Sequence, residues 1–329
     1  VPSSVGFRWN ADLLWAGSKR LERKGSIMKR LMRWLGIMVG ILAVLVLLLA
    51  VGIYFRSEMI INQTYAASPD TVAITTEVAV IARGEHLANY VSVCVDCHGA
   101  KLEGGIVVDD PALGRIVAPN LTTGQGGVGG QRSDADLVNI LRYGIKADGH
   151  SALVMPSDDY QYLSNGDLAA IIAYVRSVPS QDNLLPANAL RPLGRILLTL
   201  GQLPIIIADR VNAKLEHPVT VEETVSLAYG QYLGSISGCI GCHGTGLSGG
   251  PIPAAPPDWP QAANLTPSGD VGQWTEADFI NTMRTGVNPA GKTLDQRMPW
   301  FRYRSMTDDE LKALWLFIQS APAKEFGNR

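Results

Sequence analysis

The chain's only four cysteines fall into two pentapeptides, Cys94-Val95-Asp96-Cys97-His98 and Cys239-Ile240-Gly241-Cys242-His243. C-x-x-C-H is the attachment pattern of a c-type haem. Cysteines three apart share one face of a helical turn, so both thiols can reach the vinyl groups along one porphyrin edge. The following His then lies over the iron, where a ring nitrogen binds it. A fold built on this motif must wrap a flat, largely apolar group, and this chain must do so twice. The expectation is two covalently bound haem c groups, held at Cys94 and Cys97 and at Cys239 and Cys242, with His98 and His243 on the irons.

Other uses of paired cysteines explain less. A zinc site would need four thiolates to converge across about 145 residues and would leave both His placements unexplained. A redox dithiol accounts for one C-x-x-C but not for the duplication or the His. A secreted disulfide framework spreads its cysteines rather than placing them three apart.

The sequence around the motifs also repeats. Gly84-Glu85-His86-Leu87 and Gly230-Gln231-Tyr232-Leu233 precede them, and Asn120-Leu121-Thr122 and Asn264-Leu265-Thr266 follow. Next come Asn139 to Gly144 and Asn281 to Gly286, then Met155-Pro156 and Met298-Pro299, at offsets of 142–146 residues throughout. That regularity indicates tandem domains. Each reads as mostly helix: a first helix running into C-x-x-C-H, a loop of about 30 residues, a helix announced by Ser133-x-x-Asp136 or Thr275-x-x-Asp278, and a closing helix. The loop is Gly-rich in the first copy and Pro-rich in the second, and a haem would give it apolar surface to pack on. Leu168, Ile171, Ile172 and Val175 keep the helical period in one closing helix, and Leu311, Leu314, Trp315 and Ile318 keep it in the other. No strand-type alternation is evident in either copy.

Ahead of both copies, Leu35–Phe55 carries no charge, and 14 of its residues are Leu, Ile, Val or Phe. At about −0.4 kcal/mol each, these favour insertion by roughly −6 kcal/mol, and the length suits a bilayer. Lys29, Arg30 and Arg33 lie before it, while Glu58 and Asp70 accompany Arg56 beyond it. The positive-inside rule then keeps the N-terminus in the cytoplasm and exports the rest. Ala50-Val51-Gly52 resembles a cleavage site, but the apolar run exceeds a usual signal core and reads as an uncleaved anchor. Residues 1–27 show no periodic pattern, and Met28-Lys29-Arg30 reads as a natural start for the anchor. The implied division is 1–33 cytoplasmic, 34–56 anchor, 57–75 linker, 76–180 first domain, 181–221 connector, 222–321 second domain and 322–329 tail. Within the connector, Ile196–Ala208 is apolar but too short to span, so it packs between the domains or lies on the membrane surface. Net charge is −2, and nothing beyond residue 33 is basic enough to imply nucleic acid.

From about residue 76 to 320 these pieces resemble a tandem of class I cytochrome c domains, as in membrane-anchored dihaem c-type cytochromes. The resemblance implies an all-α fold, an N-terminal transmembrane helix followed by the two domains. It implies Met155 and Met298, 57 and 55 residues beyond their His, as sixth iron ligands, which would fill the iron and raise its potential. His150, five residues before Met155, is the rival there, but Lys292 stands at its place in the second copy. His86 and His217 read as ordinary surface or packing residues. The family's pattern makes Gly84 and Gly230 points of close helix approach, with Tyr174 and Phe317 packed nearby. It also gives Pro119 a carbonyl that accepts from the His98 ring; Ala263 departs from that pattern beside His243. Trp274, expected near a haem propionate, is replaced by Arg132 in the first copy, so the two potentials should differ.

The function implied is electron transfer without a catalytic residue, from a membrane or periplasmic dehydrogenase or a quinol-oxidising complex to a soluble cytochrome or terminal oxidase. The protein would sit in the inner membrane, single-pass, with its haems on the periplasmic side. A dihaem peroxidase, which needs an open iron and an acid–base group, and a haem-based sensor are the alternatives.

Overall fold

Fifty-one residues, Ala11–Ile61, form the single helix α1. The computed structural model describes residues 11–67, 70–253, 255 and 258–329, with side chains described from residue 28 onward. Met28–Ile61 is long and apolar enough to cross a membrane, with a mean hydropathy of 3.0 in its most apolar window. The sequence from 11 to 27, read above as patternless, is helical, because its Ala, Leu, Lys, Arg and Glu are strong helix formers even without an amphipathic stripe. Residues 1–10, Ser68, Pro69, residue 254, Pro256 and Pro257 lie outside the described residues, and with them part of the expected N-terminal segment, linker and Pro-rich loop. The chain divides into two compact units, residues 1–56 and 57–329.

In the second unit, α2 (Val78–His86) runs on through a π-helical turn, Leu87–Val91, and then breaks before the one-turn helix α3 (Val95–His98). The second copy breaks likewise between α8 (Leu227–Ile236) and α9 (Cys239–His243). The unbroken first helix expected from the sequence is therefore corrected in both domains. The residue just before each first cysteine has a left-handed backbone, Val93 at φ 44° and Gly238 at φ 76°. Glycine adopts this freely, whereas a β-branched valine does so only under strain.

A second correction concerns strands. The Gly-rich loop of the first domain folds as an antiparallel hairpin, β1 (Gly105–Asp110) with β2 (Gly114–Ala118), and β3 (Ala189–Leu190) adds to β2. Ile106, Val107 and Val108 suit a strand, and Asp110 closes the turn by accepting the N–H groups of Ala112 and Leu113 at 2.7 Å each. The strands are short and their register shifts between Ile106 and Val108, so little alternation was visible.

The remaining helices match between copies. α4 (Asp134–Tyr143) and α10 (Glu276–Thr285) both start at complete capping boxes and stop at left-handed glycines, Gly144 and Gly286. One-turn helices α5 (Ser157–Tyr160) and α11 (Trp300–Tyr303) follow the Met-Pro pairs, and α6 (Asn165–Ser177) and α12 (Asp308–Ser320) close the domains. α2 crosses α6 at Gly84, where an added Cβ would lie 1.8 Å from the Ala170 carbonyl oxygen. α8 crosses α12 at Gly230, 1.9 Å from that of Ala313. Phe317 packs at this second crossing, and the Tyr174 hydroxyl accepts from Asn89 Nδ2 at 3.4 Å near the first. Leu168, Ile171 and Ile172 are almost fully buried, each worth about 2 kcal/mol of apolar transfer.

The domains share one continuous core, and each crossing is tied to the other. Arg83 grips Asp167 through two nitrogens at 3.0 and 3.2 Å and reaches Glu310 at 3.3 Å. The Tyr232 hydroxyl donates to Asp167 at 2.7 Å, and His86 Nε2 contacts Glu310 at 2.8 Å. These acids occupy the same place in α6 and α12. Part of the connector packs outside this core, in a cluster of its own. Its helix α7 (Pro192–Thr199) places Leu198 with Ile205 and Ile206 against Ile60, Ile61, Tyr65 and Leu153.

Candidate functional site

α3 and its neighbours bring Cys94, Cys97, His98, Pro119 and Met155 to the lining of one cavity of about 530 Å³. Leu102, Ile116, Leu141, Ile172 and Val175 make most of its wall apolar. His98 donates its Nδ1–H to the Pro119 carbonyl at 2.9 Å, which leaves the lone pair on Nε2. In the second domain Cys239, His243 and Met298 line a cavity of about 50 Å³ among the described residues. There His243 donates Nδ1–H to the Ala263 carbonyl at 2.8 Å. The departure at Ala263 thus does not change the contact: the acceptor is a backbone oxygen, and the loop aims it whatever the side chain.

The loops are aimed by Asn-Leu-Thr. Asn120 Oδ1 accepts from the Thr122 N–H and hydroxyl at 2.9 and 2.8 Å, while its Nδ2 donates to the Gln181 carbonyl at 2.7 Å. Asn264 does the same with Thr266 at 2.9 and 2.8 Å and with Lys324 at 2.9 Å. Each motif therefore clips the segment after a closing helix to the loop that carries the carbonyl.

Two residues that the sequence reading passed over belong to these sites. Tyr160 and Tyr303, each five beyond its Met, line the two cavities. Their hydroxyls donate to the Ser92 and Ser237 carbonyls at 2.6 and 2.5 Å, two residues before each first cysteine. A matched Tyr at one offset in both copies was the available signal. Val154, just before Met155, has φ 65°, and with Val93 and Leu102 makes three strained non-glycines at this site. Arg132 lines the first cavity, whereas Trp274 is half-buried against the core and is not among the described residues lining the second. His150 is absent from the first cavity's lining and contacts Asp148 at 3.2 Å. His217 is buried near Tyr143 and Asp70, and His86 lies at the domain contact.

Burial lowers the pKa of His98, partly offset by the Pro119 contact, and lowers that of His243, partly offset by the Ala263 contact. Both imidazoles are thus held neutral, the form that binds a metal. Burial also pushes the Cys94 thiol up to about 12 and the Cys239 thiol up to about 11. None of the four cysteines is paired in a disulfide, and the described residues contain no cluster of three or more His, Cys, Asp or Glu suited to a metal ion. Two thiols, a neutral imidazole and a thioether in an apolar wall are the donor set for a thioether-linked haem. The first cavity also has the volume of a cofactor pocket; the second has Cys239, His243 and Met298 in less space, and Cys242 is not among its described lining residues.

The one-turn helices after the methionines dock reciprocally. α5 packs on α8, and α11 packs on the π-helical turn of the first domain. Arg302 pairs with Asp96, the middle of the first C-x-x-C-H, at 2.7 Å. Its counterpart Asp159 faces the middle of the second: a Cβ on Gly241 would lie 3.4 Å from Asp159 Oδ2. Burial, helped by the Asp158 charge and opposed by Arg210, pushes the Asp159 carboxyl up to about 7.

Comparison with known proteins agrees with this layout. The cytochrome c family profile matches residues 228–322, and that of cytochrome c oxidase, cbb3-type, subunit III matches residues 79–175. The gluconate 2-dehydrogenase cytochrome c subunit of Pantoea cypripedii is 27% identical over 280 residues, 75% of this chain and 60% of the relative. The fructose dehydrogenase cytochrome subunit of Gluconobacter japonicus is 28% identical over 138 residues, 40% of this chain and 28% of the relative. The alcohol dehydrogenase (quinone) cytochrome c subunit of Gluconobacter oxydans (strain 621H) is 30% identical over 96 residues, 27% of this chain and 20% of the relative. The chain thus spans between a fifth and three fifths of the length of these relatives.

Proposed function

We propose that this chain, whose residues 79–175 and 228–322 match cytochrome c family models, carries electrons as the dihaem cytochrome subunit of a dehydrogenase, tethered to the inner membrane. The observation that carries this reading is the matched donor set, Cys94, Cys97, His98 and Met155 against Cys239, Cys242, His243 and Met298. A haem c supplies a reversible one-electron couple at its iron. The cysteines would hold it covalently, and each His would be fixed in tautomer and direction by its carbonyl. Met155 and Met298 would hold the iron by their thioether sulfurs together with each His, a ligation that favours a high reduction potential. Tyr160 and Tyr303 hold the segments just before the attachment helices, and the buried apolar walls exclude water.

The relatives are cytochrome subunits of fructose, alcohol and gluconate dehydrogenases, which supports a dehydrogenase as electron donor. The acceptor in this reading is a soluble cytochrome or terminal oxidase. α1 would keep the carrier near its membrane partners at high effective concentration, with the haem domains on the periplasmic side.

Protein matured in a host competent for haem attachment should give two haems per chain by pyridine haemochrome assay. Both should remain with the polypeptide through denaturing electrophoresis. The ferric protein should be low-spin throughout. A high-spin ferric haem with peroxide turnover would replace this reading with a peroxidase.

A further inference from the structure

α7 divides its apolar side chains between two faces. Leu198 is buried against the end of α1 and the first domain, but Leu193, Ile196 and Leu200 are 43%, 36% and 65% exposed. Their spacing of three and four residues makes one stripe on a helix. The helix is held firmly, because Gly194 lies against the hairpin turn, where an added Cβ would meet the Leu113 carbonyl oxygen at 2.1 Å.

What covers the stripe follows from what holds the helix. Arg195 Nη1 donates to Ser57 Oγ at 2.7 Å and pairs with Glu58 Oε1 at 2.7 Å. Ser57 and Glu58 follow Phe55, the last residue of the uncharged stretch, by two and three residues. Three residues of chain reach at most about 11 Å in any conformation. Arg195 is therefore held within reach of the headgroup layer, where an interfacial helix sinks its apolar face about 5–10 Å. α7 has no acidic residue, and Arg191 at its start suits anionic headgroups.

We propose that α7 is a second membrane contact, with Leu193, Ile196 and Leu200 in the boundary between headgroups and acyl chains, seating the haem-bearing unit on the bilayer. The proposal rests on the reading of α1 as an anchor. A free tether would let that unit wander over the radius of its linker, whereas a seated α7 fixes the height of both haem sites above the lipid.

The test is photo-cross-linking of the full haem-loaded chain in native membranes, with p-benzoylphenylalanine at Ile196, Leu200 or, as control, Val219. Val219 is 72% exposed and lies outside α7. Mass spectrometry should find several-fold more phospholipid adduct at Ile196 and Leu200 than at Val219. Equal adduct yields at all three positions, or adducts to another protein at Ile196 and Leu200, would overturn the proposal while leaving the anchor intact. Release of the whole chain from membranes by alkaline carbonate would sink the anchor and the proposal together. An unchanged haem spectrum verifies that each variant is folded.

Discussion

His98 and His243 make the same hydrogen bond, at 2.9 and 2.8 Å, to carbonyls of two different residues, Pro119 and Ala263. Tyr160 and Tyr303 likewise repeat one contact, and so do the two Asn-Leu-Thr clips. Around these shared parts the domains differ. The first has a β-hairpin, a cavity of about 530 Å³, Arg132 on its wall and Asp96 in its attachment helix. The second has a Pro-rich loop, a cavity of about 50 Å³ and Gly241 where Asp96 would stand. Ligand geometry is thus kept by backbone and clips, while the surroundings are left to side chains that are free to diverge. Those side chains should set the two potentials apart.

The comparison breaks most readily at the methionines. Met155→Ala and Met298→Ala should each lower the potential of only their own haem, by on the order of 100 mV or more. Spectroelectrochemical titration would check it, and a variant that shifts both haems equally would deny that the sites are separate. Next come the crossings. Gly84→Ala and Gly230→Ala should each destabilise by about 3 kcal/mol, because the added methyl meets a backbone carbonyl that cannot yield. Denaturant melts of the haem-loaded protein would show whether the two crossings are equally tight.

Asp159 gives a smaller and more specific effect. Its carboxyl ionises as pH rises through about 7, which places a negative charge beside the second attachment helix. Negative charge favours the oxidised iron, so the second haem's potential should fall by tens of millivolts across that range. Asp159→Asn should abolish the slope in a redox titration at several pH values. The sign for stability is parallel: the fold disfavours ionised Asp159, so stability declines from the unfolded pKa near 4 up to about 7. Smallest of all, Pro119→Ala and Ala263→Pro should each change stability by less than about 0.5 kcal/mol and leave the spectra alone. A large loss in thermal melts would show that the proline ring matters after all.

Much of the site was legible because its parts are local. The C-x-x-C-H spacing, the capping boxes at Ser133 and Thr275 and the period of Leu168, Ile171 and Ile172 each lie within a turn or two of helix. The break at Val93 was hidden, because a left-handed valine has no sequence signature, whereas Gly238 was the visible sign of the matching break in the second copy. The hairpin was hidden because its strands are only six and five residues long and the register shifts between Ile106 and Val108; β3, which adds to β2 from some seventy positions away, was hidden by distance. Asp159 and Arg302 were invisible for the same reason, since each faces a motif in the other domain.

The ties among Arg83, Asp167, Tyr232, His86 and Glu310 reach beyond their own energies. Asp167 and Glu310 stand at the third position of their closing helices, and each also receives a side chain from the neighbouring domain's first helix. Prising the halves apart would strip Glu310 of Arg83 and His86, and Asp167 of Tyr232, in a half-dry seam. A protease that nicked the connector would therefore leave the two fragments clasped, still copurifying as one coloured species.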